Sequence, residues 1–138
     1  VAFFSEVLTV DQLARSKISR ALPKGMELSH FLVLNYLARA TETRTPAQLA
    51  HSFNLTRGAM TNTLQKLEWA GHIHITPDWD DARRKQVVIS PAGRKARDTA
   101  LGAITPIMSQ IVDATGSEKV RAMLPVLREI RLRRGESD

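Results

Sequence analysis

Apolar side chains recur every three or four residues along six stretches of the chain, with polar residues between them. This spacing is typical of amphipathic helices that pack on one face. Glycine, proline and short polar runs separate the stretches, as expected where helices end. The six predicted helices are Phe3 to Ala21, Leu28 to Ala40, Thr45 to Phe53, Thr56 to Ala70, Ser90 to Ala114, and a last one that starts at Ser117.

The third and fourth helices lie close together in the chain, and each begins with a capping signal. Thr45 is followed by Pro46 and then by Gln48, the pattern of a capping box with proline in the first turn. Thr56 is the predicted cap of the fourth helix, Ser90 that of the fifth and Ser117 that of the sixth. Two helices joined by so short a break form a helix-turn-helix. The predicted buried positions of the fourth helix are Met60, Leu64 and Leu67.

Two short runs after the fourth helix alternate apolar and polar residues, which is the period of a strand. They span His72 to Thr76 and Gln86 to Ser90. Helix, turn, helix and hairpin form the layout of a winged helix-turn-helix, a shape that reads duplex DNA. The predicted fold class is therefore mainly α with a small β-hairpin wing, and the winged helix-turn-helix occupies residues 28–90.

The helices at the two ends of the chain carry wide apolar stripes. A terminal helix has few neighbours of its own, so a second copy of the chain is the expected cover, with an ordinary core as the alternative. We expect a single subunit over residues 1–138, with dimerisation helices at 1–22 and 91–134. The predicted dimerisation residues are Phe3, Phe4, Val7, Val10, Val120, Met123, Leu124, Leu127 and Ile130.

The outward face of the fourth helix is polar but almost uncharged. A face meant only for solvent more often carries paired Glu and Lys, which is the alternative interpretation. Asn and Gln can pair with adenine, Arg with guanine, and the Thr methyl packs on the thymine methyl. The predicted DNA-binding residues, including those of the wing, are Thr45, Thr56, Arg57, Gly58, Thr61, Asn62, Gln65, Lys66, Arg83, Arg84 and Lys85.

The loop of the predicted hairpin carries three acids and then three adjacent cations, Arg83 to Lys85. Such a cluster suits the narrow, negative minor groove. Asp81 lies two residues before Arg83, and we expect it to orient that guanidinium without contacting DNA. The alternative is a polar loop with an incidental ion pair.

Charge is concentrated in two segments of the 138-residue chain, whose net charge is +6. Arg44 to Arg97 holds nine basic and four acidic residues, and Lys119 to Arg134 holds six and one, so each segment carries +5. The remainder is net acidic. A positive balance favours polyanionic partners. A solubilising surface is the alternative, and charge alone leaves the two about even. For the second segment we favour a solvated flank of the dimer, because no polar reading groups accompany its charges.

The sequence contains no apolar run long enough to span a bilayer, so no membrane association is expected. The first residues lack the pattern of a signal peptide, and we expect a cytoplasmic protein that begins inside a longer gene product, since the chain opens on Val1. The absence of cysteine excludes disulfides and thiolate ligands.

Catalytic and metal-binding motifs are absent from the sequence. No P-loop, nucleophile elbow or dinucleotide fingerprint occurs, so we expect a protein that is not an enzyme. His72 and His74 share a strand face, but no His-x-x-x-His pattern accompanies them, and we expect neither a metal nor another cofactor. Trp69 is expected to pack beside the end of its helix rather than to stack on a ligand.

Three fragments in order resemble the MarR family of bacterial transcriptional regulators. They are Leu67-Glu68-Trp69-Ala70-Gly71, Asp81-Ala82-Arg83 and Ile89-Ser90-Pro91-Ala92-Gly93. The family typically shows Leu-Glu-x-x-Gly, an acidic wing that ends in Asp-x-Arg, and Leu-Thr-x-x-Gly. The resemblance covers nearly the whole chain.

The resemblance implies a homodimer built from both chain ends, with a recognition helix in each major groove and the wings in adjacent minor grooves. It also implies a small-molecule effector, often anionic or phenolic, that weakens DNA binding. Two departures are visible. Ile75 and Thr76 stand where the family often has arginines, and His72 stands where an apolar residue is usual.

The expected function is therefore sequence-specific binding of double-stranded DNA by a ligand-responsive repressor that acts as a homodimer on a pseudo-palindromic operator. The alternative is a winged-helix module for protein interaction without sequence-specific DNA binding. Such a module should expose large apolar side chains on the fourth helix.

Overall fold

The computed structural model describes residues 1–77, 80 and 84–133. The mainly α fold with a β-hairpin wing is confirmed. In the described ranges, no helix is long and apolar enough to cross a membrane. The elements are α1 (Ala2–Ala21), α2 (Leu28–Arg39), α3 (Pro46–Ser52), α4 (Arg57–Trp69), β1 (Ile73–Pro77), β2 (Lys85–Ile89), α5 (Pro91–Thr115) and α6 (Ser117–Leu132).

The chain divides into two units, Val1–Ala103 and Ile104–Asp138, and α5 contributes to both. The core of the first unit lies where α2, α3 and α4 meet the hairpin. Each of these helices turns an apolar face inward, as the three-to-four spacing predicts. Burying one such side chain stabilises the fold by about 1.5–3 kcal/mol. The cluster consists of Val33, Leu34, Leu37, Leu49, Ala50, Met60, Leu64, Leu67, Ile73, Val87 and Ile89.

Side-chain hydrogen bonds cap the starts of α3 and α4. Oγ1 of Thr45 accepts from the backbone N–H of Gln48 at 3.1 Å, and Oε1 of Gln48 accepts from the N–H of Thr45 at 2.9 Å. Oγ1 of Thr56 accepts from the N–H of Ala59 at 3.1 Å. Both predicted caps are therefore confirmed. Between the helices Asn54 has a φ of 53°, a left-handed conformation that asparagine tolerates.

The hairpin is antiparallel and pairs Ile73 with Ile89 and Ile75 with Val87. The alternation predicted from sequence is confirmed, because Ile73, Val87 and Ile89 are buried and Ile75 is half-buried. A further backbone bridge joins Val87 to Arg44, whose carbonyl accepts from the N–H of Val87 at 2.8 Å. The connector before α3 is thus tied to the base of the wing.

Ser90 links three elements at the start of α5. Its hydroxyl donates to the carbonyl of Gly71 at 2.6 Å and accepts from the N–H of Gly93 at 3.0 Å. Its own N–H donates to the carbonyl of His72 at 3.0 Å. The predicted cap at Ser90 is confirmed, and its hydroxyl also holds the end of α4 beside the first turn of α5.

The apolar stripes of α1 and α6 are largely uncovered. Within α1 no residue is buried, and Phe4 and Val10 are more than half exposed. Within α6 no residue is buried either. The prediction that Ser117 caps α6 is wrong. Gly116 holds the capping position with a φ of 117°, and Ser117 already lies in the first turn. Both stripes leave a large apolar surface for another chain to cover.

Replacement of Gly93 by alanine should destabilise the fold. An added Cβ would overlap the carbonyl oxygen of His72 and lie 2.9 Å from Cγ1 of Ile89. We expect Gly93→Ala to lower the free energy of unfolding by about 1–3 kcal/mol in urea denaturation. Gly102→Ala is the matched control in the same helix. Its added Cβ meets nothing within 4 Å, so this substitution should raise the free energy of unfolding. Equal stability of Gly93→Ala and wild type would contradict the close approach.

Candidate nucleic-acid interface

The exposed face of α4 lies opposite its buried side. Met60, Thr63, Leu64 and Leu67 point into the core. A helix turns about 100° per residue, so Gly58, Asn62 and Gln65 fall on the far side. All three are exposed. Asn62 and Gln65, which are predicted to read bases, thus share one accessible face. The absence of a side chain at Gly58 leaves room beside the first turn of α4.

One flank of α4 faces the wing across a groove of about 570 Å³. Arg57, Thr61 and Gln65 line it from α4, and Arg84 and Lys85 line it from the hairpin. The structure therefore brings helix and wing residues of the predicted site together. Glu68 also lines the groove and adds one negative charge to it.

Thr45 lines the same groove, whereas Thr56 does not, and both residues are helix caps. Thr45 is buried at the start of α3, whereas Thr56 is exposed at the start of α4. Each hydroxyl accepts a backbone hydrogen bond as a cap. Both residues therefore have a structural function in addition to any contact with DNA.

Arg44 and Tyr36 form a support for the wing that sequence reasoning missed. Nε of Arg44 donates to the hydroxyl of Tyr36 at 3.2 Å, and its guanidinium carbon lies 6.0 Å from the centre of that ring. The Tyr36 hydroxyl is also 3.5 Å from Oγ of Ser52. The hydrogen bond to Tyr36 raises the pKa of Arg44. The sequence signal that could have indicated this support is a basic residue, Arg44, directly before the capping box of α3.

The other flank of α4 contacts the start of α2 through charged and polar groups. Nζ of Lys66 lies 3.8 Å from Oε1 of Glu27. The backbone N–H of Glu27 donates to Nδ1 of His30 at 3.4 Å, which closes a capping box on α2. Burial lowers the pKa of His30 below its ordinary value of 6.5; Glu27 opposes this shift, and Lys66 and His72 add to it.

The remaining predictions about the site have different outcomes. Asp81 and Arg83 lie outside the described residues, so the orienting role of Asp81 stays a prediction. Trp69 is 79% exposed, which corrects the expectation that it packs beside the helix end. It follows the last buried residue of α4 by two positions and so points away from the core. Within the described ranges, no three His, Asp or Glu side chains form a group that could hold a metal.

Comparison with known proteins agrees with this geometry. Residues 24–84 match the sequence model of the MarR family. This match spans the winged helix-turn-helix of the chain, which is therefore similar to that of the MarR family. No curated relative matches the sequence.

Solved structures extend the MarR-like fold over nearly the whole chain. The regulator BldR from Sulfolobus solfataricus superposes with a TM-score of 0.84 at 23% identity, covering 96% of this chain and 94% of that one. Mutant MarR from E. coli complexed with operator DNA gives 0.79 at 19% identity, covering 94% of each chain. CouR from Rhodococcus jostii bound to p-coumaroyl-CoA gives 0.78 at 20%, covering 90% and 87%.

The lowered pKa of His30 predicts a dependence of stability on pH. Unfolded His30 binds its proton near pH 6.5, whereas the folded side chain binds it only at lower pH. As the pH falls through 6.5, the unfolded state therefore binds more protons than the folded state, and the free energy of unfolding decreases. His30→Gln keeps a hydrogen-bonding group but does not titrate.

We expect the free energy of unfolding to fall less for His30→Gln than for wild type between about pH 7.5 and 5.5, measured in urea. His74→Gln, which removes an exposed imidazole from β1, serves as the control and should follow wild type. If the free energy of unfolding changed with pH in parallel for His30→Gln and wild type, His30 would be excluded as the source of the pH dependence.

Proposed function

We propose that the protein is a sequence-specific, double-stranded-DNA-binding transcriptional regulator without enzymatic activity. It acts as a homodimeric repressor on a pseudo-palindromic operator. The observation that carries this proposal is the exposed polar face of α4, flanked by the wing cations. The similar fold of E. coli MarR, solved with operator DNA, supports the same orientation of helix and wing.

In the proposed complex α4 enters the major groove. Asn62 and Gln65 reach base edges from the middle of the exposed face, and Arg57 reaches them from the first turn. Arg84 and Lys85 approach the backbone or the adjacent minor groove from the wing, together with Arg83. Amide and guanidinium groups specify bases, whereas the wing cations supply affinity that does not depend on sequence.

The alternative of a protein-interaction module finds less support. Hot spots of protein interfaces are rich in large apolar and aromatic side chains. Between Arg57 and Lys66 the exposed residues of α4 are polar or small. Trp69, one turn beyond Gln65 on the same outward face, is the exception.

The dimer is proposed from the exposed stripes of α1 and α6. Phe3, Val7, Leu124 and Leu127 are among their partly exposed apolar side chains. Burial of apolar area drives association of obligate dimers, whose interfaces resemble a divided core. A dimer also gives the two recognition helices that a pseudo-palindrome requires.

Asn62→Ala should lose sequence discrimination. Using a duplex selected from a random pool as operator, we expect a loss of about 1–3 kcal/mol on that operator and little change on random DNA. Arg84→Ala is the contrasting variant and should weaken binding to both the operator and the random duplex. If each subunit loses one phosphate contact, the salt slope of log K should shrink by about 1.8. Equal losses on both duplexes for Asn62→Ala would make Asn62 a backbone contact.

The wild-type protein should sediment as one species of about twice 15.4 kDa at micromolar concentration. Leu127→Glu places a charge within the apolar stripe of α6 and should shift this species towards the monomer. Ala122→Glu makes the same charge on the opposite, exposed side of α6 and should remain dimeric. A folded wild-type monomer at this concentration would refute the proposed assembly.

A further inference from the structure

Glu68 is an acid on a surface that the proposed function places against DNA. Its side chain is exposed and lines the groove between α4 and the wing, together with Thr61 and Gln65. The three residues are spaced by four and three positions, which places them on one stripe of a helix. Glu68 therefore continues the row of Thr61 and Gln65, one turn nearer to the end of α4.

The carboxylate of Glu68 has no partner within the part of the chain that the structure describes. It forms no ion pair and no side-chain hydrogen bond there. Arg84 and Lys85 line the same groove from the hairpin, but neither pairs with it. Ile75 lines the groove from β1 and carries no charge. The oxygens of Glu68 are thus available to accept hydrogen bonds from a ligand in the groove.

The place of Glu68 within α4 argues against a role in stability. The residue lies in the last turn of the helix, directly before Trp69. Because the helix dipole is negative at this end, a negative charge there is unfavourable for the helix. Among the described residues, no cation offsets that charge through an ion pair. A function in binding therefore explains the carboxylate better than a function in folding.

We propose that Glu68 is a specificity-determining residue that accepts a hydrogen bond from the exocyclic amino group of cytosine. In the major groove, cytosine presents its N4 amino group as a donor, whereas guanine and thymine present acceptors that repel a carboxylate. Adenine presents an amino group as well, but beside the acceptor N7. Glu68 therefore favours cytosine at one position of each half-site. This assignment rests on the proposed function, because it requires α4 to lie in the major groove.

The charge of Glu68 also acts against other sequences. A carboxylate close to the DNA is repelled by the phosphates, whatever the sequence. Where the facing base is cytosine, the hydrogen bond offsets this repulsion, and elsewhere nothing does. Glu68 thus lowers affinity for random DNA more than affinity for the operator, and specificity is the difference between the two. The wing cations Arg84 and Lys85 have the opposite effect, since they attract every duplex alike.

Selection of duplexes from a random pool, by wild type and by Glu68→Gln, tests the assignment. The amide keeps the size of the side chain but adds a donor, and glutamine pairs with adenine. We expect the selected sequences to change from cytosine to adenine at one position of each half-site and to agree elsewhere. Glu118→Gln makes the same change in α6, outside the groove, and should select the wild-type sequence.

Affinities for the wild-type operator and for a random duplex, at one salt concentration, give a second readout. For Glu68→Gln the ratio of operator affinity to random-DNA affinity should fall about tenfold. Affinity for the random duplex should rise, because each subunit loses a negative charge near the phosphates. The free energy of unfolding in urea should be no lower than for wild type, which separates this effect from a loss of fold.

Two results would overturn the role of Glu68 in base recognition. One is an identical selected sequence for Glu68→Gln and wild type. The other is tighter binding of Glu68→Gln to both duplexes in the same proportion, which would make the carboxylate a source of repulsion alone. If wild type enriched no sequence at all, the proposed function itself would be refuted, and the role of Glu68 with it.

Discussion

The structure depends on the burial of one side of α4. Met60, Leu64 and Leu67 are almost fully enclosed by α2, α3 and the hairpin. Because these side chains hold the rotation of the helix about its axis, they also determine which residues face solvent. A cavity-forming change at any of them would loosen the orientation of Asn62 and Gln65 as well as the core. Stability and the proposed base recognition therefore depend on the same helix.

Two small polar junctions hold the base of the hairpin, one at the end of α4 and the other beside α2. At one, the hydroxyl of Ser90 joins the carbonyl of Gly71 to the N–H of Gly93, so the end of α4 and the start of α5 meet at backbone distance. At the other, Arg44 connects the Val87 backbone to the hydroxyl of Tyr36. Such contacts keep the base of the wing in one position beside α4, which a two-stranded hairpin alone would not ensure.

Local patterns predicted much of this fold. The caps at Thr45, Thr56 and Ser90 require only neighbours three residues away, and the buried face of α4 follows from its period. The bridge between Arg44 and Val87 was missed because it joins positions distant in sequence, in a connector that reads as polar. The environment of His30 was missed for the same reason: sequence shows the residue, but its burial depends on how other elements pack.

The two flanks of α4 have different electrostatic surroundings. On the wing side, Arg57 faces Arg84 and Lys85 across the groove, with Glu68 at its edge. On the other side, Lys66 is the cation of α4, and its neighbour Glu27 is exposed. A polyanion bound to the outward face would therefore draw on cations from both flanks, while Glu68 on one flank and Glu27 on the other would each offset one positive charge.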